Sequence, residues 1–210
     1  MELNKEKLMK VAIIDSQFNK DSFYKVIHID IFNDQVLTNT DIYPPPSHCD
    51  ICLDLITSEL INNKNIIFYC LPVLDDKNTT SVEKLKKALK WCIKNNIDVI
   101  NLSLGTIKYK DIMKLHYILN KVTKKSVVFA AMSNNNKFCY PCCHPQVIGV
   151  ETQQSESGKI VTVSKKIGVN YSVRYGLNQK LNVLNNYYRI TDNSYACAYL
   201  CNLYLKRTEI

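Results

Sequence analysis

The chain has 210 residues, which is enough to bury a substantial core as one domain, and it carries a formal net charge of +8. Its first ten residues are too polar for an export signal, and no apolar run approaches the roughly 18 to 20 residues that span a bilayer. These features argue against a secreted or membrane protein, and nine cysteines without an export signal predict reduced thiols and a cytoplasmic location.

The first half of the chain alternates apolar runs typical of buried strands with helical patterns. Strands are predicted over residues 8–15 and 65–73, with helical spacing of apolar residues over 51–60. A second helix is predicted after Thr80, which with Glu83 has the spacing of a capping box. The lysines of this helix lack interleaved aromatic residues and so predict a solvated face rather than a nucleic-acid surface; they are Lys84, Lys86, Lys87, Lys90 and Lys94.

The second half continues the alternation. Strands are predicted over residues 98–105, 126–132 and 146–151. A helix lies between the first two of them, marked by Ile112, Leu115, Ile118 and Leu119. Residues 151–191 are more polar and predict peripheral hairpins, and a largely apolar helix follows Ser194.

This order of elements predicts an α/β fold, with a doubly wound, mostly parallel sheet flanked by helices on both faces in three layers. No internal repeat or linker marks a boundary, so residues 1–210 are expected to form one domain. Functional residues collect at the carboxyl ends of the strands in such sheets. Neither a glycine-rich dinucleotide fingerprint nor a P-loop follows the first strand, which argues against nucleotide binding.

Four polar residues lie at strand or helix ends, where they can either cap the backbone or carry chemistry. Asp15 ends the first strand, and His48 begins a helix after three prolines. Ser194 lies at the start of the last helix, where a serine is usually an N-cap but a nucleophile also gains from free backbone N–H groups. Asn134 follows a strand in a turn-like run of asparagines. Taken singly, each residue is more simply explained as a cap or turn residue.

Together, these residues follow the chain order Asp, His, Asn, Ser, and Asp–His–Ser is one of the orders in which a serine-protease triad is built. Five segments carry a closer resemblance: VAIIDSQ at 11–17, HCDICLDLI at 48–56, VINLSLG at 99–105, VVFAAMSNNN with YPCCHPQVIGV within 127–150, and NSYACAYLCN at 193–202. On these segments, in this order, the chain resembles the subtilisin-like serine proteases.

The resemblance implies a role for each matching residue. Ser194 would attack the scissile carbonyl, His48 would take up and return its proton, and Asp15 would orient His48 and stabilise its charged form. Asn134 and the backbone N–H of Ser194 would form the oxyanion hole. Two segments would bind the substrate: Ser103, Leu104 and Gly105 by backbone pairing, and Ala130, Ala131 and Met132 along the primary specificity pocket.

Several departures from the family pattern lie beside these residues. They are Gln17, Cys49, Asp50, Ser133, Asp192 and Asn193, with Ala198 in place of a helix proline. Glycines at such sites permit positive φ or close substrate approach, and Asn193 is expected to tolerate a left-handed conformation. Asp50 is expected to repel acidic substrates or perturb His48, and Cys49 is a candidate for a redox-sensitive restraint on His48.

The segment CYPCCH at 139–144 is the candidate for a metal site. Cys139, Cys142, Cys143 and His144 include the C-x-x-C spacing of zinc ligands, yet no second ligand pair lies at the usual spacing. Free thiols are the simpler interpretation, and no acidic loop builds a calcium site. We therefore expect neither a metal nor a cofactor.

The sequence thus predicts a serine endopeptidase with narrow specificity that processes a dedicated peptide or protein, such as the leader of a ribosomally made peptide. The replaced residues and the expected lack of a pro-segment motivate the narrow specificity. The alternative is a pseudoprotease that binds a peptide or scaffolds a partner without cutting it. A peptide or protein is the expected partner, nucleic acid and membrane are not, and the oligomeric state is unknown.

Overall fold

The computed structural model describes residues 8–18, 24–37, 47–58, 60, 65–75, 77–135, 137–153, 160–174, 177–181 and 186–207. The first half of the chain supplies β1 Met9–Asp15, β2 Val26–Asp30, β3 Gln35–Leu37, α1 His48–Thr57, β4 Ile66–Pro72, α2 Val82–Lys94 and β5 Val99–Leu102. The second half supplies α3 Tyr109–Val122, β6 Val127–Ala131, β7 Ile148–Gln153, β8 Val161–Val163, β9 Tyr171–Arg174, β10 Leu177–Leu181, β11 Asn186–Ile190 and α4 Asn193–Arg207.

Nine of the described strands form one sheet, in the order β3-β2-β4-β1-β5-β6-β7-β9-β8. The strands from β2 to β9 in this order are parallel, and the two outermost pairs, β3 with β2 and β8 with β9, are antiparallel. Strand β1 lies between β4 and β5, so the chain continues to opposite sides of it. Such a reversal opens a crevice at the carboxyl ends of the strands, and Asp15 is the last residue of β1.

The core lies on both faces of this sheet, because successive side chains of a strand point to opposite faces. On β1, Ile13 belongs to the cluster that includes the buried residues of α1 and α4, and Ile14 belongs to the cluster that includes those of α2 and α3. Both isoleucines are fully buried. Helices on each side of a largely parallel sheet give three layers, and the predicted fold class is confirmed.

Each predicted strand outside the polar segment 151–191 has an observed counterpart, and the remaining differences have physical reasons. The cap of α2 is Ser81 rather than Thr80: the helix begins one residue later than predicted, and the Ser81 hydroxyl accepts from the Lys84 N–H at 3.2 Å. Strands β2 and β3 were not predicted from the sequence. Part of the polar segment is not peripheral either, because β9 pairs with β7 inside the main sheet.

The surface and the domain organisation complete the description of the fold. The lysines of α2 are exposed or half-buried in this structure. Within the described ranges, no helix is both long and apolar enough to cross a membrane. Strands β10 and β11 pair with each other in a separate hairpin. That residues 1–210 form one domain remains a prediction.

Candidate active site

Asp15 and His48 meet at the carboxyl end of β1. The Asp15 carboxylate is fully buried, and His48 Nδ1 lies 2.8 Å from its Oδ1 and 3.0 Å from its Oδ2. The N–H of Ser16 also donates to Oδ1, at 2.6 Å. An imidazole that gives its Nδ1 proton to a carboxylate keeps Nε2 for another partner. The pair therefore fixes the ring orientation and leaves the second nitrogen of His48 available.

The start of α1 holds His48 in place. Ser47 is the N-cap: its hydroxyl accepts from the Asp50 N–H at 3.1 Å, and the Asp50 carboxylate accepts from the Ser47 N–H at 2.6 Å. This is a reciprocal capping box, and Asp50 is only 1% exposed. The expectation that Asp50 would repel acidic substrates is wrong, because its carboxylate is buried at the helix start and does not line the cleft.

The surroundings of His48 act on its protonation in opposite directions. Burial lowers the pKa of His48, whereas the charge of an ionised Cys52 and the carboxylate of Asp15 raise it, and the net effect is a raised pKa. The Cys52 sulfur lies 3.8 Å from Nδ1, and burial raises the pKa of this thiol. Cys52 is thus neutral near pH 7, where Asp15 is the charge that favours imidazolium. The ring of Tyr195 stacks on His48 with centroids 5.6 Å apart.

Ser194 lies at the start of α4 without capping it. The N-cap is Asp192, whose carboxylate accepts from the Tyr195 N–H at 3.0 Å and whose carbonyl accepts from the Ala196 N–H at 3.2 Å. The simpler explanation of Ser194 as a backbone cap is therefore wrong, and its hydroxyl is free to face the cleft. Among the described residues, that hydroxyl donates to the Ser103 carbonyl at 3.5 Å and makes no hydrogen bond to His48.

His48 and Ser194 line one open cleft of about 570 Å³ at the carboxyl ends of β1 and β5. Its lining includes the half-buried Leu74 and the exposed Ile107, and the core residues Leu85 and Leu115 lie beneath it. The expected substrate-pairing residues Ser103, Leu104 and Gly105 run along this cleft, as do Ile107, Asn134 and Asp192.

A smaller adjoining pocket of about 170 Å³ lies where the sequence predicts the primary specificity pocket. It is lined by Ala131 and Met132 together with Ser103, Leu104 and Gly105. Ala130 does not line it, because its side chain is fully buried within β6. Asn134 and Ser194 border both spaces, so the four residues singled out in the sequence lie at one end of the sheet.

The replaced glycines do not force unusual backbone. Among the described residues that are not glycine, positive φ occurs only at Asp34, Asn78 and Asn96. Asn193 does not use the left-handed conformation that an asparagine tolerates, because this residue is the first of α4 and is helical. None of the substitutions beside the site needs the conformational freedom of glycine in this structure.

The sulfur next to His48 belongs to Cys52. From the sequence, Cys49 was the candidate for a redox-sensitive restraint on His48. Cys49 is buried with its Sγ 3.8 Å from that of Cys70, so it turns away from the imidazole. Cys52 lies four residues after His48, one helical turn along, and such residues share a face. That spacing was the signal available in the sequence for Cys52. Tyr195 was also missed, although it directly follows Ser194.

Metal ligation has one geometric candidate in the described part of the chain. Asp15, His48 and Cys52 offer ligand atoms within 4.8 Å of one another. Cys139, Cys142 and Cys143 make no such group. All nine cysteines are free.

Comparison with known sequences agrees with the geometry. The model of the subtilase family matches residues 6–203. The minor extracellular protease Epr of Bacillus subtilis (strain 168) is 27% identical over 124 residues, which is 57% of this chain and 19% of Epr. Subtilisin E of the same organism is 25% identical over 163 residues, 71% of this chain and 42% of subtilisin E. The match thus spans less than half the length of these two relatives.

Comparison with solved structures agrees on the fold. A cold adapted subtilisin-like serine proteinase superposes with a TM-score of 0.70 at 16% identity, covering 96% of this chain and 76% of that one. A lanthipeptide protease superposes with a TM-score of 0.68 at 16% identity, covering 96% and 75%. At this level of identity the likeness concerns the fold, and the subtilisin-like architecture predicted from the sequence is confirmed.

Proposed function

This chain belongs to the subtilase family of serine peptidases, and from that premise we propose that it is a serine endopeptidase with narrow specificity for a dedicated peptide or protein. One observation carries the proposal: a buried Asp15 contacts His48 through both oxygens, and His48 shares its cleft with Ser194. Because the match covers less than half the length of the curated relatives, activity, substrate and partner all belong to the proposal.

The proposed reaction is acyl transfer through a serine. Ser194 Oγ attacks the scissile carbonyl and passes its proton to Nε2 of His48, while Asp15 stabilises the imidazolium. The amide N–H groups of Asn134 and the backbone of Ser194 stabilise the negative oxygen. His48 then protonates the leaving amine, the C–N bond breaks, and water repeats the sequence on the acyl-enzyme. The Ser194 hydroxyl must first rotate from the Ser103 carbonyl towards His48, a tightening that substrate binding commonly completes.

The shape of the cleft supports a restricted choice of substrate. Leu74 and Ile107 give the cleft lining an accessible apolar part, so a peptide with an apolar side chain near the scissile bond fits it. The smaller pocket beside Met132 favours a small side chain at the cleavage site. Because a lanthipeptide protease has the same fold, the leader of a ribosomally made peptide is the first substrate class to test. The free cysteines support a reducing, cytoplasmic location.

Labelling with a fluorophosphonate probe tests the proposed activity, because the probe reacts with serines that are activated by a base and an oxyanion hole. We expect the probe to label the wild type but neither Ser194→Ala nor His48→Ala. The labelling rate of Asp15→Asn is expected to be about 10⁴-fold lower than that of the wild type. A peptide library then tests specificity. Broad digestion of casein by the purified protein would contradict the narrow specificity.

The alternative, a pseudoprotease that binds a peptide without cutting it, is favoured by one observation. The Ser194 hydroxyl hydrogen-bonds to the Ser103 carbonyl and not to His48. If the folded wild type is not labelled, yet binds peptides in a way that Leu74→Glu or Ile107→Glu abolishes, the alternative replaces the first proposal.

A further inference from the structure

Asn193 makes an unusual set of contacts immediately before Ser194. It is only 4% exposed, and its side-chain Oδ1 accepts from the Thr152 N–H at 2.7 Å and from the Thr152 hydroxyl at 3.0 Å. Its Nδ2 donates to the Ser133 carbonyl at 3.1 Å. One buried amide therefore joins the start of α4 to the end of β7 and to the loop after β6.

The backbone of the same residue contacts Asn134. The Asn193 N–H lies 3.3 Å from Oδ1 of Asn134. A backbone N–H can only donate, so the carbonyl oxygen of the Asn134 side chain must be the atom that faces it. The NH₂ group of Asn134 is thereby turned away from this N–H, and Asn134 borders the cleft that it shares with Ser194.

Ser133, the residue before Asn134, is held from two directions. Its N–H donates to the Cys139 sulfur at 3.1 Å, and its carbonyl accepts from Asn193. Where the family pattern has a flexible glycine, this chain fixes both backbone groups of a serine. The position of Asn134 along the cleft therefore depends on the same asparagine that fixes its orientation.

We infer that Asn193 is a positioning residue for the oxyanion hole: its side chain fixes Ser133, and its backbone N–H aims the amide group of Asn134. The inference rests on the proposed function, in which Asn134 stabilises the negative oxygen of the reaction. Oxyanion donors stabilise the transition state because their N–H groups are already oriented towards the oxyanion before the reaction begins. A donor whose orientation is not fixed therefore loses much of this stabilisation. Asparagine suits this task because one planar amide offers a donor and an acceptor in different directions, whereas a threonine hydroxyl offers a single atom.

The first test is the substitution Asn193→Thr, which removes the side-chain amide that contacts Thr152 and Ser133. The rate of fluorophosphonate labelling, and kcat on a cleaved peptide, are expected to fall on the order of tenfold with KM unchanged, less than the about 100- to 1,000-fold expected for Asn134→Ala. An unchanged kcat would overturn the inference. Asn193→Asp, which keeps the acceptor but loses the donor to Ser133, is the second variant should Asn193→Thr fail to fold.

A double-mutant cycle separates positioning from simple destabilisation. If Asn193 acts through Asn134, then Asn193→Thr is expected to have no further effect on labelling in an Asn134→Ala background. Equal losses in both backgrounds would overturn the inference. Ser126→Ala is the control, because Ser126 is also buried and donates to the Ile97 carbonyl at 2.6 Å, at the amino end of the sheet and away from the cleft. It is expected to lower stability without changing labelling of the folded protein.

A measurement that needs no activity keeps this inference distinct from the proposed function. The side-chain amide of Asn134 is expected to be ordered by ¹⁵N relaxation in the wild type and mobile in Asn193→Thr. A wild type that is not labelled by the probe, but shows this change, would contradict the peptidase activity alone. An Asn134 amide that is equally mobile in both proteins would contradict the positioning role alone.

Discussion

The side chains around His48 determine its orientation and its pKa. Asp15 accepts from its Nδ1, Cys52 lies one turn away, and Tyr195 covers its ring. The ionised form of each acidic neighbour favours imidazolium, while burial opposes it, and the net result is a raised pKa. A general base must be neutral to accept a proton, so these contacts move its useful range to higher pH.

The pH dependence of labelling follows from this shift. Below its pKa, His48 is protonated and cannot take the proton of Ser194, so the labelling rate is expected to rise with pH, with an apparent pKa above the ordinary 6.5. Burial raises the pKa of the Cys52 thiol, which is therefore neutral near pH 7, so Cys52→Ala is expected to leave the profile in that range unchanged. Rates measured from pH 5 to 10 check both statements. An apparent pKa at or below 6.5 in the wild type would contradict the first.

The cysteines differ in reactivity according to their surroundings. Cys143 is half-buried and the other eight are buried. The hydrogen bond from Cys142 lowers the pKa of the Cys143 thiol to about 6, against the opposing effect of burial. We expect iodoacetamide at pH 7 to modify Cys143 first, because the thiolate is the reactive form. Peptide mapping identifies the site, Cys143→Ser removes the fast phase, and prior reaction at another cysteine would contradict the prediction.

At the scale of elements, the sequence was most informative where a segment is buried on both faces. Strands β1, β4, β5 and β6 are largely apolar and mostly buried, and they were predicted near their observed bounds, as was the more polar β7. Strands β2 and β3 were missed because they lie at the sheet edge, where pairing with a neighbour stabilises a sequence that has little periodic signal of its own. The start of α1 was predicted near Ser47 or His48 because three prolines precede it in the sequence, and the helix begins at His48.

The cap of α1 offers a test of how an element supports the site. Ser47→Ala removes the hydroxyl acceptor for the Asp50 N–H and is expected to cost about 0.5 to 2 kcal/mol of stability. Because His48 is the first residue of the same helix, the labelling rate of the folded protein is also expected to fall. Ser81→Ala at the cap of α2 is the matched control, with a similar stability loss and unchanged labelling. Urea unfolding gives the stability, and equal labelling in both variants would contradict the link.

Strand β7 contains a position where only glycine fits. A Cβ at Gly149 would lie 2.7 Å from the Cys142 carbonyl oxygen and 2.9 Å from its sulfur. At Gly105 the nearest atom would be the Tyr140 carbonyl oxygen at 3.2 Å. Overpacking of this kind costs typically about 1 to 3 kcal/mol, so Gly149→Ala is expected to lower the urea midpoint clearly and Gly105→Ala much less. The reverse order would contradict this account.

The whole molecule brings distant parts of the chain to one edge of the sheet. Asp15 and His48 are 33 residues apart, and Asn134 and Asn193 are 59 apart. The candidate triad was recognisable in the sequence because its residues lie in family-like segments. The sequence did not predict the contacts of Asn193, the neighbours of His48 or the role of Asp50. These depend on packing between segments that are distant in the chain, which no local sequence pattern indicates.

Helix α4 makes this assembly a single unit. Asn202 donates to the Ile56 carbonyl of α1, and the Cys197 sulfur donates to the Asn101 side chain of β5 at 3.3 Å. The helix that carries Ser194 is thus tied to the helix that carries His48 and to the central sheet. We expect probe labelling and far-UV circular dichroism to be lost together in urea. Loss of labelling at clearly lower urea would mean that α4 detaches before the rest unfolds.

The position of α4 also has a consequence for the making of the protein. Translation delivers Asp15 first, then His48, then Asn134, and only afterwards Ser194 and the helix behind it. A nascent chain on the ribosome can pair β1, β4, β5 and β6 while it still lacks the nucleophile and the asparagine that aims the oxyanion donor. If the proposed function holds, the growing chain therefore cannot cut itself or its neighbours until all the described strands of its main sheet have been synthesised.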